Sequence, residues 1–453
     1  MLRTDERYLV VGLGKSGGAA AEALLDRGCP VTVYDKKPEA ELEPALIKAL
    51  KEKGAACLFG REPEVPGGFD VVVLSPGVSR ELPLVAAEEQ AGARVTGELE
   101  LAWLMGRGCY VAITGTNGKT TTTVLTGEIF KNAGRKTEVV GNVGVAVSSR
   151  AGEADEDTWM ITEASSFQLD ATERFHPVIS AILNVTPDHL DRHGTLENYA
   201  LAKAKIFQRQ TGEDHFIVNY DDKEAWKLRV FCKAHVVPFS RREQLSQGCF
   251  VKDGRIVIRE DCGKETEICP AAELFIPGAH NLENALAASA MAYYAGIAPE
   301  VIGETLRSFR GVEHRMELCG QVDGVRFVND SKGTNPDASI KAVEAVEGNI
   351  ILIAGGYDKG ASYEEFIGAF GGKVKALVLL GKTAPKIRAA AEAAGLKNII
   401  MAADMEECVL RSFREASAGD TVLLSPACAS WDMYSCFEER GEHFKACVES
   451  LKR

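Results

Sequence analysis

The sequence has no long apolar run: nowhere in its 453 residues do about eighteen apolar residues follow one another, the length that a membrane-spanning helix needs. A charged-then-apolar leader at the N-terminus is also missing. From these two absences we expect a protein that is not inserted in a membrane and that works in the cytoplasm. Low-complexity tracts and repeats of solenoid length are absent as well, which favours ordinary folded domains.

An excess of basic residues is missing too. The formal net charge is −13, and the acidic residues are spread along the chain. Such a chain does not offer nucleic acid a general basic surface, so any phosphate group has to bind in a local pocket. The twelve cysteines include no CxxC pair and no zinc spacing, which favours free thiols and small buried side chains.

The composition is that of a folded chain, with 45% apolar and 26% charged residues. Its length predicts about three domains. Predicted strands and helices alternate along most of the chain, which indicates an α/β protein with mainly parallel sheets. We predict a Rossmann-like N-terminal domain at 1–96, a central P-loop-type ATPase domain at 97–311 and a Rossmann-like C-terminal domain at 312–453.

A glycine turn that ends in Lys119 is the strongest local signal. Such a turn follows an apolar strand and opens a helix, so its N–H groups, the helix N-terminus and the lysine can all attract phosphate. The first glycine of a full P-loop is replaced by Ile113, so this loop is a shortened form. The predicted nucleotide-binding residues are Gly115, Thr116, Asn117, Gly118, Lys119, Thr120 and Thr121.

A second glycine turn lies near the N-terminus. The pattern GxGxxG begins at Gly12, and the next predicted strand ends at Asp35, which is the arrangement of a dinucleotide-binding βαβ unit. NAD, FAD and the phosphates of another nucleotide all remain open as ligands. The predicted ligand-binding residues of this domain are Lys15, Ser16, Asp35, Lys36, Ser75, Pro76 and Gly77.

Polar side chains follow two further strands of the predicted central sheet. Glu163 suits a Mg²⁺ ligand or a base near the γ-phosphate. The loop 184–193 offers His189, two carboxylates and Arg192, which favours a second metal ligand or an acid–base role. Because the carboxyl ends of parallel strands meet at one edge of a sheet, we expect these groups near the phosphate loop.

The turns of the last third carry positive charges. Arg315, Lys332 and Lys359 lie on or beside polar, glycine-rich turns that follow predicted strands or the expected domain boundary. In a chain with a net charge of −13, such local cations favour a pocket for a carboxylate or a phosphate group.

Together these motifs resemble the Mur ligases, the ATP-dependent amino-acid ligases of peptidoglycan synthesis. The resemblance covers essentially the whole chain and implies that the N-terminal domain binds the UDP part of a substrate, not NAD. It rests on the phosphate loop, Glu163, the 184–193 loop, Tyr199–Lys203, Pro277–Asn281 with Asn284, His314-Arg315 and Asp330-Ser331-Lys332.

The C-terminal stretch narrows the resemblance. Leu424–Asp432 with Phe437–Gly441 is similar to the members that add D-glutamate to UDP-N-acetylmuramoyl-L-alanine, and the Asp-Asn-Pro-Arg motif of diaminopimelate-adding members is absent. Trp431 stands where a smaller apolar residue is common, and Tyr357 where an acidic residue can occur. We expect a monomer with these two compounds as substrates.

The resemblance also implies residue roles. Catalysis would fall to Lys119, Glu163, His189 and Lys203, and Mg²⁺ would be bound by Thr120, Glu163, His189 and a Lys203 carbamylated by CO₂. Adenine and ribose of ATP would be held by Asn281, Asn284, Arg315 and Asp330. The substrates would be held by Asn142, Ser165, Gln168, Thr334, Lys359, Ser430, Trp431 and Phe437.

Alternatives stay open at this point. Another Mur ligase or a folylpolyglutamate-type ligase would share the central motifs but take a different amino acid. An NAD-dependent dehydrogenase would use GxGxxG as its main site, although it leaves the phosphate loop and the Mg²⁺-type residues unexplained. A non-catalytic nucleotide switch would release ADP without regard to an amino acid.

Overall fold

The computed structural model describes residues 2–62, 66–276, 278–358 and 360–452, apart from the side chain of Asp191. Within these residues the chain forms sheets of five, nine and six strands. It divides into two compact units, the first made of 1–275 with 279–309 and the second of 276–278 with 310–453. The first unit therefore contains both the predicted N-terminal and central domains, whose boundary stays a prediction.

The N-terminal sheet is parallel, with the strand order β3-β2-β1-β4-β5. Its two central strands read YLVV and VVVL and are buried along their full length, as expected for a sheet covered on both faces. The strands are β1 (Tyr8–Val11), β2 (Val31–Asp35), β3 (Ala56–Phe59), β4 (Val71–Leu74) and β5 (Arg94–Gly97). The helices are α1 (Lys15–Leu25), α2 (Pro44–Glu52) and α3 (Pro83–Gln90), with a short 3₁₀ helix at Glu39–Glu41.

The central sheet has the strand order β14-β13-β12-β11-β10-β9-β6-β8-β7. Its strands are β6 (Cys109–Thr114), β7 (Thr137–Gly141), β8 (Trp159–Glu163), β9 (Ile179–Ile182), β10 (His215–Asn219), β11 (His235–Ser240), β12 (Gly248–Lys252), β13 (Arg255–Arg259) and β14 (Glu265–Pro270). Its helices are α4 (Glu98–Met105), α5 (Lys119–Asn132), α6 (Ser148–Ala151), α7 (Ser166–Asp170), α8 (Leu190–His193), α9 (Leu196–Ala204), α10 (Lys223–Lys227), α11 (Ala279–Tyr294) and α12 (Pro299–Ser308). Short 3₁₀ helices lie at Lys205–Phe207, Leu228–Phe231 and Ala271–Glu273.

Parallel pairing in the middle of this sheet assembles the site. Strand β6 lies between β8 and β9 and runs parallel to both, so the residues that follow the three strands emerge at one edge. Only the β12–β14 end is antiparallel. There Asp253 and Gly254 form the predicted hairpin turn, with φ values of 50° and 74°.

The C-terminal sheet has the strand order β15-β16-β20-β17-β18-β19 and is parallel except for β15. Its strands are β15 (Glu317–Val322), β16 (Val325–Asn329), β17 (Ile350–Ala354), β18 (Val374–Leu379), β19 (Ile399–Met401) and β20 (Thr421–Leu424). Its helices are α13 (Pro336–Ala345), α14 (Glu364–Gly368), α15 (Ala384–Ala393), α16 (Met405–Glu415) and α17 (Phe437–Ser450).

Strand and helix ends differ from the prediction by a few residues. The strand predicted at 178–184 ends at Ile182, and two residues later the Asn184 carbonyl accepts the Thr116 N–H of the phosphate loop at 3.0 Å. All twelve cysteines are free, as predicted. Among the described residues, no helix has both the length and the apolar character needed to cross a membrane.

Candidate active site

The phosphate loop joins β6 to α5 through Gly115–Gly118. Gly118 has a φ of 82°, a conformation that glycine adopts at little cost. A Cβ atom on Gly118 would also collide with the side-chain oxygen of Asn284 on α11. The glycine therefore meets two demands, a left-handed backbone and close packing of α11 against the loop.

Asn184 holds this loop in place, a role that we did not predict. Its Oδ1 accepts hydrogen bonds from the N–H groups of Thr116 (3.1 Å) and Asn117 (2.8 Å), and its Nδ2 donates to the Asn117 carbonyl (3.1 Å). The Thr116 hydroxyl adds a bond to the Thr186 carbonyl at 3.1 Å. Asn184 begins the loop that the sequence pattern singled out for its histidine and carboxylates, which drew attention away from the amide.

Two lysines converge on the loop. The Lys119 amine donates to the carbonyls of Gly115 and Thr116, both at 2.9 Å, and the Lys203 amine donates to the same Gly115 carbonyl at 2.8 Å. Lys203 is 1% exposed and its amine lies 4.3 Å from the centre of the Tyr199 ring. The lysine of α9 thus lies beside the phosphate loop and not on a solvated helix face.

Burial and neighbouring charges shift the pKa of Lys203. Burial first, and then the charge of Lys119, lower the pKa of the Lys203 amine well below its ordinary value, against the opposing pull of Asp188 and Glu163. The lowered pKa raises the fraction of Lys203 that is unprotonated, and only the unprotonated amine has the free electron pair that a nucleophile needs.

Glu163 ends β8 with a buried carboxylate that is 2% exposed. Its Oε1 accepts a hydrogen bond from Asn142 Nδ2 at 2.7 Å, and its Oε2 is a buried oxygen with no hydrogen-bond partner in the described part of the chain. Burying a carboxylate oxygen without a partner is costly, and a divalent cation would supply that partner. The donor set at this edge of the sheet therefore fits a hard cation.

His189 follows β9 and adopts a left-handed conformation with a φ of 52°. Its ring packs edge-on against Phe167, with ring centres 4.9 Å apart, and lies 6.5 Å from Tyr199. Its Nε2 is 3.6 Å from the Asp188 carboxylate. His189 is half exposed and available to a ligand, and Tyr199 links it to Lys203.

Ser165 and Gln168 have a local structural task. The Ser165 hydroxyl accepts the Gln168 N–H at 3.2 Å, and the Gln168 side-chain oxygen accepts the Ser165 N–H at 3.0 Å, which together form a capping box at the start of α7. This cap fixes the segment that follows Glu163. Their contact with substrate stays a prediction.

Two asparagines connect α11 with the loop helix. Asn284 Oδ1 accepts the Thr122 hydroxyl of α5 at 3.1 Å, and Asn284 Nδ2 donates to Asn281 Oδ1 at 3.2 Å. The predicted nucleotide-binding face of α11 is therefore fixed to the helix that begins at Lys119.

The N-terminal turn is built around Gly12. The Asp35 carboxylate accepts hydrogen bonds from the N–H groups of Leu13 (2.8 Å) and Lys37 (3.0 Å), and so fixes the glycine turn. On the other side, the Ser75 hydroxyl donates to the Gly12 carbonyl at 2.7 Å. The predicted substrate residues Lys15, Lys36 and Gly77 are exposed, and Ser16 and Pro76 are half-buried.

In the second unit, Asp330 follows β16 and is 5% exposed. Its Oδ2 accepts the Ser425 hydroxyl at 2.7 Å. Burial raises the pKa of Asp330 to about 6, although the hydrogen bond from Ser425 and the charge of Arg315 lower it. Burial thus favours the protonated form of the predicted ribose ligand.

Arg440 organises the predicted amino-acid region and was not predicted to do so. It is 1% exposed and donates to the Ser331 hydroxyl (2.9 Å), the Ser331 carbonyl (2.8 Å) and the Cys428 carbonyl (3.2 Å). The Ser331 hydroxyl in turn donates to the Phe437 carbonyl at 2.8 Å. The C-terminal motif contained Arg440, but nothing in its letters distinguishes a buried arginine from an exposed one.

The other residues predicted to bind the amino-acid substrate differ in their exposure. Ser430 is buried, Thr334 and Phe437 are half-buried, and Trp431 is 61% exposed. The Trp431 ring lies 5.7 Å from that of Tyr357, so the two departures from the family pattern contact each other. Lys359 lies outside the described residues.

A histidine and two glutamates of the second unit form a cluster that resembles a cation-binding site. Ligand atoms of Glu313, His314 and Glu442 lie within 4.8 Å of one another. Lys445 already neutralises the cluster, with its amine 2.6 Å from Glu442 and 3.5 Å from Glu313. The ion pairs account for the carboxylates without a metal.

Comparison with known proteins places these features in one family. Three family models match in chain order: the Mur ligase MurD-like N-terminal domain at 6–97, the Mur ligase middle domain at 113–292 and the Mur ligase glutamate ligase domain at 314–428. A solved structure of UDP-N-acetylmuramate-alanine ligase from Thermotoga maritima shares the fold, with a TM-score of 0.61 at 20% identity over 98% of this chain and 99% of that one.

Relatives of known name align along the whole chain. Two proteins named UDP-N-acetylmuramoylalanine--D-glutamate ligase, from Caldanaerobacter subterraneus subsp. tengcongensis and Alkaliphilus oremlandii, are 47% and 48% identical over 99% of both chains. The predicted α/β class and the order of the three domains are confirmed. By full-length identity and by all three domain models, the chain belongs to the Mur ligase family.

Proposed function

We propose that this protein is an ATP-dependent ligase that joins D-glutamate to UDP-N-acetylmuramoyl-L-alanine in peptidoglycan precursor synthesis. The observation that carries the proposal is its 47% identity, over 99% of both chains, to a relative named UDP-N-acetylmuramoylalanine--D-glutamate ligase. The match of residues 6–97 to the MurD-like N-terminal domain supports a UDP-linked substrate over folate or NAD. A cytoplasmic location and a monomeric state remain predictions.

The reaction needs an activated carboxylate, because a carboxylate and an amine do not condense in water. An oxygen of the L-alanyl carboxylate attacks the γ-phosphorus of ATP, the bond to the ADP oxygen breaks, and an acyl phosphate forms. The amine of D-glutamate then adds to the acyl carbon. Loss of inorganic phosphate and of one proton from the amine leaves the amide.

The phosphate loop would bind ATP and stabilise the charge that gathers in both steps. The Lys119 amine donates to two loop carbonyls, and a phosphate group would compete with these neutral acceptors for its charge. The N-terminus of α5 adds a positive partial charge at the same place. The main contributions of these groups are positioning and electrostatic stabilisation.

Thr120, Glu163, His189 and a modified Lys203 would hold Mg²⁺. The buried Oε2 of Glu163, which lacks a hydrogen-bond partner among the described residues, supports this assignment. Mg²⁺, when bound, supplies positive charge that offsets the charge of the phosphates. Asn142 would orient the Glu163 carboxylate, since it donates to the other oxygen at 2.7 Å.

Lys203 would carry a carbamate. Its neutral amine attacks the carbon of CO₂, a C–N bond forms as one C–O π bond opens, and the nitrogen loses one proton, so that a neutral amine becomes an anionic oxygen ligand. The low pKa that burial gives this amine supports the step, because only the unprotonated form is nucleophilic. The nearby Lys119 would stabilise the resulting negative charge.

The substrates would bind to residues of the N-terminal and C-terminal domains. The turns at Gly12 and Ser75 would hold the diphosphate of the UDP substrate, with Lys15, Ser16 and Lys36 nearby. Arg315 and Asp330 would contact the ribose of ATP. Thr334, Lys359, Ser430 and Phe437 would hold D-glutamate, with Lys359 opposite one of its carboxylates.

Phosphate release tests the proposal directly. We would supply ATP, Mg²⁺ and UDP-N-acetylmuramoyl-L-alanine and compare D-glutamate, L-glutamate, lysine and diaminopimelate as acceptors. We expect turnover with D-glutamate only. Turnover with another amino acid would overturn the substrate assignment in favour of a different Mur ligase, and phosphate release without any amino acid would indicate a nucleotide switch.

The loop assignment has its own test. Lys119→Ala should abolish ADP formation while the affinity for the UDP substrate, measured by titration calorimetry, stays unchanged. Retained turnover would show that the loop is not the ATP site.

A further inference from the structure

Arg192 bridges two loops of the first unit. Its Nη2 donates to the Val78 carbonyl at 3.1 Å, and its Nη1 lies 3.5 Å from the Pro76 carbonyl. The guanidinium carbon lies 4.5 Å from the centre of the Phe167 ring. Arg192 lies on α8, and His189, the predicted metal ligand, is the residue directly before that helix.

The Ser75–Val78 turn is fixed on its far side as well. The N–H of Ser75 donates to the Val11 carbonyl at 3.1 Å, its hydroxyl donates to the Gly12 carbonyl at 2.7 Å, and the turn is closed by a bond from the Val78 N–H to the Ser75 carbonyl at 2.9 Å. A Cβ atom on Gly12 would contact the Val78 side chain at 2.9 Å. The turn therefore lies between the glycine turn and Arg192.

Phe167 provides the platform on which Arg192 rests. Its ring stacks on that of His193, with centres 5.4 Å apart and planes 9° apart, and meets the His189 ring edge-on. The Ser166 hydroxyl lies 3.1 Å from His193 Nε2. Arg192, Phe167 and His193 thus form one stack that joins the loop after Glu163 to the loop that carries His189.

We propose that Arg192 is a positioning residue for the ligase reaction, which fixes the Ser75–Val78 turn, and with it the UDP-linked substrate, relative to the His189 loop. The inference rests on the proposed function, since that function makes the turn a substrate-binding element. Arg192 acts through main-chain carbonyls and touches no reacting atom. Because an acyl transfer loses rate steeply when its partners are misplaced, a rigid link between these loops favours reaction.

The geometry requires an arginine rather than any cation. A guanidinium is flat, so it can stack on Phe167 while two of its N–H groups reach neighbouring carbonyls; a lysine ammonium offers neither the flat face nor the fork. Arg80 serves as a matched control. It lines the same cleft as Arg192 but is paired with Glu89, so it shares the charge and not the contacts.

The test compares Arg192→Lys, Arg192→Ala and Arg80→Ala in the full chain. Affinity for UDP-N-acetylmuramoyl-L-alanine is measured by calorimetry, and KM and kcat by phosphate release. We expect both Arg192 variants to bind this substrate about 10-fold more weakly, the loss of a charge-assisted contact, with the KM for ATP unchanged. Arg80→Ala should stay within about two-fold of the unaltered protein.

A second pair of variants tests the stack. Phe167→Leu should weaken UDP-substrate binding in the same direction, whereas adding it to Arg192→Ala should cause little further loss, because the two side chains act as one unit. Circular dichroism melting checks that each variant is folded. If Arg192→Ala does not fold, Arg192→Lys and Phe167→Leu carry the comparison.

The outcomes separate the inference from the proposed function. Three results would each overturn the positioning role: unchanged substrate affinity in both Arg192 variants, full affinity in Arg192→Lys, or an equal loss of affinity in Arg80→Ala. In the last two cases positive charge alone would explain the effect on affinity. Failure of the unaltered protein to bind the UDP substrate or to release phosphate would overturn the proposed function itself.

Discussion

Lys203 in the first unit and Arg440 in the second are both basic side chains that are 1% exposed. Both donate to main-chain carbonyls, Lys203 to that of Gly115 and Arg440 to those of Ser331 and Cys428. Burial lowers the pKa of both. The pKa of Lys203 falls well below its ordinary value, whereas the pKa of Arg440 falls to about 10.

The difference shows what kind of work each buried base can do. At neutral pH a guanidinium with a pKa of about 10 stays charged, and its fixed fork suits it to hold several acceptors in place. A buried amine can lose its proton and becomes reactive. We therefore propose that Lys203 takes part in the reaction and that Arg440 supports the fold, and the predictions below test this proposal.

Replacing Lys203 should have the largest effect. Lys203→Ala should lower kcat by roughly 1000-fold or more, because the variant would lose the proposed metal ligand and its charge. Short-chain carboxylic acids added to the assay should restore part of the activity by occupying the vacated space. The control is Lys205→Ala, because the Lys205 amine pairs with Asp170 at the surface. Without rescue by any such acid, the carbamate would lose its support.

Arg440 should matter for stability. Arg440→Met removes the donors of two buried carbonyls and one hydroxyl, so we expect the free energy of unfolding of the second unit to fall by about 4 kcal/mol. Urea denaturation followed by hydrogen exchange measures this change. Arg411→Met, on an exposed face of α16, should cost less than about 0.5 kcal/mol. Equal stability of the two variants would contradict the assignment.

Asp330 should make the second unit less stable as pH rises. Its folded pKa of about 6 lies above the ordinary 3.8, so the folded state binds the extra proton between these values. Stability is then greatest below the ordinary pKa and falls by roughly 3 kcal/mol as pH rises through 6. Asp330→Asn should remove this part of the slope, which unfolding at several pH values would reveal; an identical slope in both proteins would refute the shift.

Trp431 should have the smallest effect. The ring is 61% exposed and packs on Tyr357, so Trp431→Leu, the kind of residue common in the family, should change stability by less than about 0.5 kcal/mol. The KM for D-glutamate should change by less than about three-fold. A larger change in this KM would show that the exposed pair shapes the amino-acid pocket.

Much of the fold followed from sequence patterns. Short apolar runs such as those of β1 and β4 are typical of strands in a sheet that is covered on both faces. The glycine turns mark where strands become helices. The residues after β6, β8 and β9 could be expected together, because parallel strands deliver their ends to one edge. Lys203 was assigned a role only through the family resemblance, since a lysine on a helix is ordinarily solvated.

The missed residues share a physical reason. Asn184 and Arg440 act through hydrogen bonds to main-chain atoms, and Tyr199 acts through contacts of its buried ring; neither kind of contact can be read from residue letters. Asp35 illustrates the reverse case, because its position after β2 was predictable while its bonds to the N–H groups of Leu13 and Lys37 were not. Sequence indicated which chemical groups lie at the site; the three-dimensional structure was needed to show which of them support the others.

The amide of Asn184 has a thermodynamic consequence. Its three hydrogen bonds to Thr116 and Asn117 order the phosphate loop before a nucleotide arrives. The conformational entropy of the loop is therefore lost when the chain folds and not when ATP binds. Nucleotide binding should accordingly carry a smaller ordering cost, and a protein without this amide would bind ATP with a larger entropic penalty even if every phosphate contact were kept.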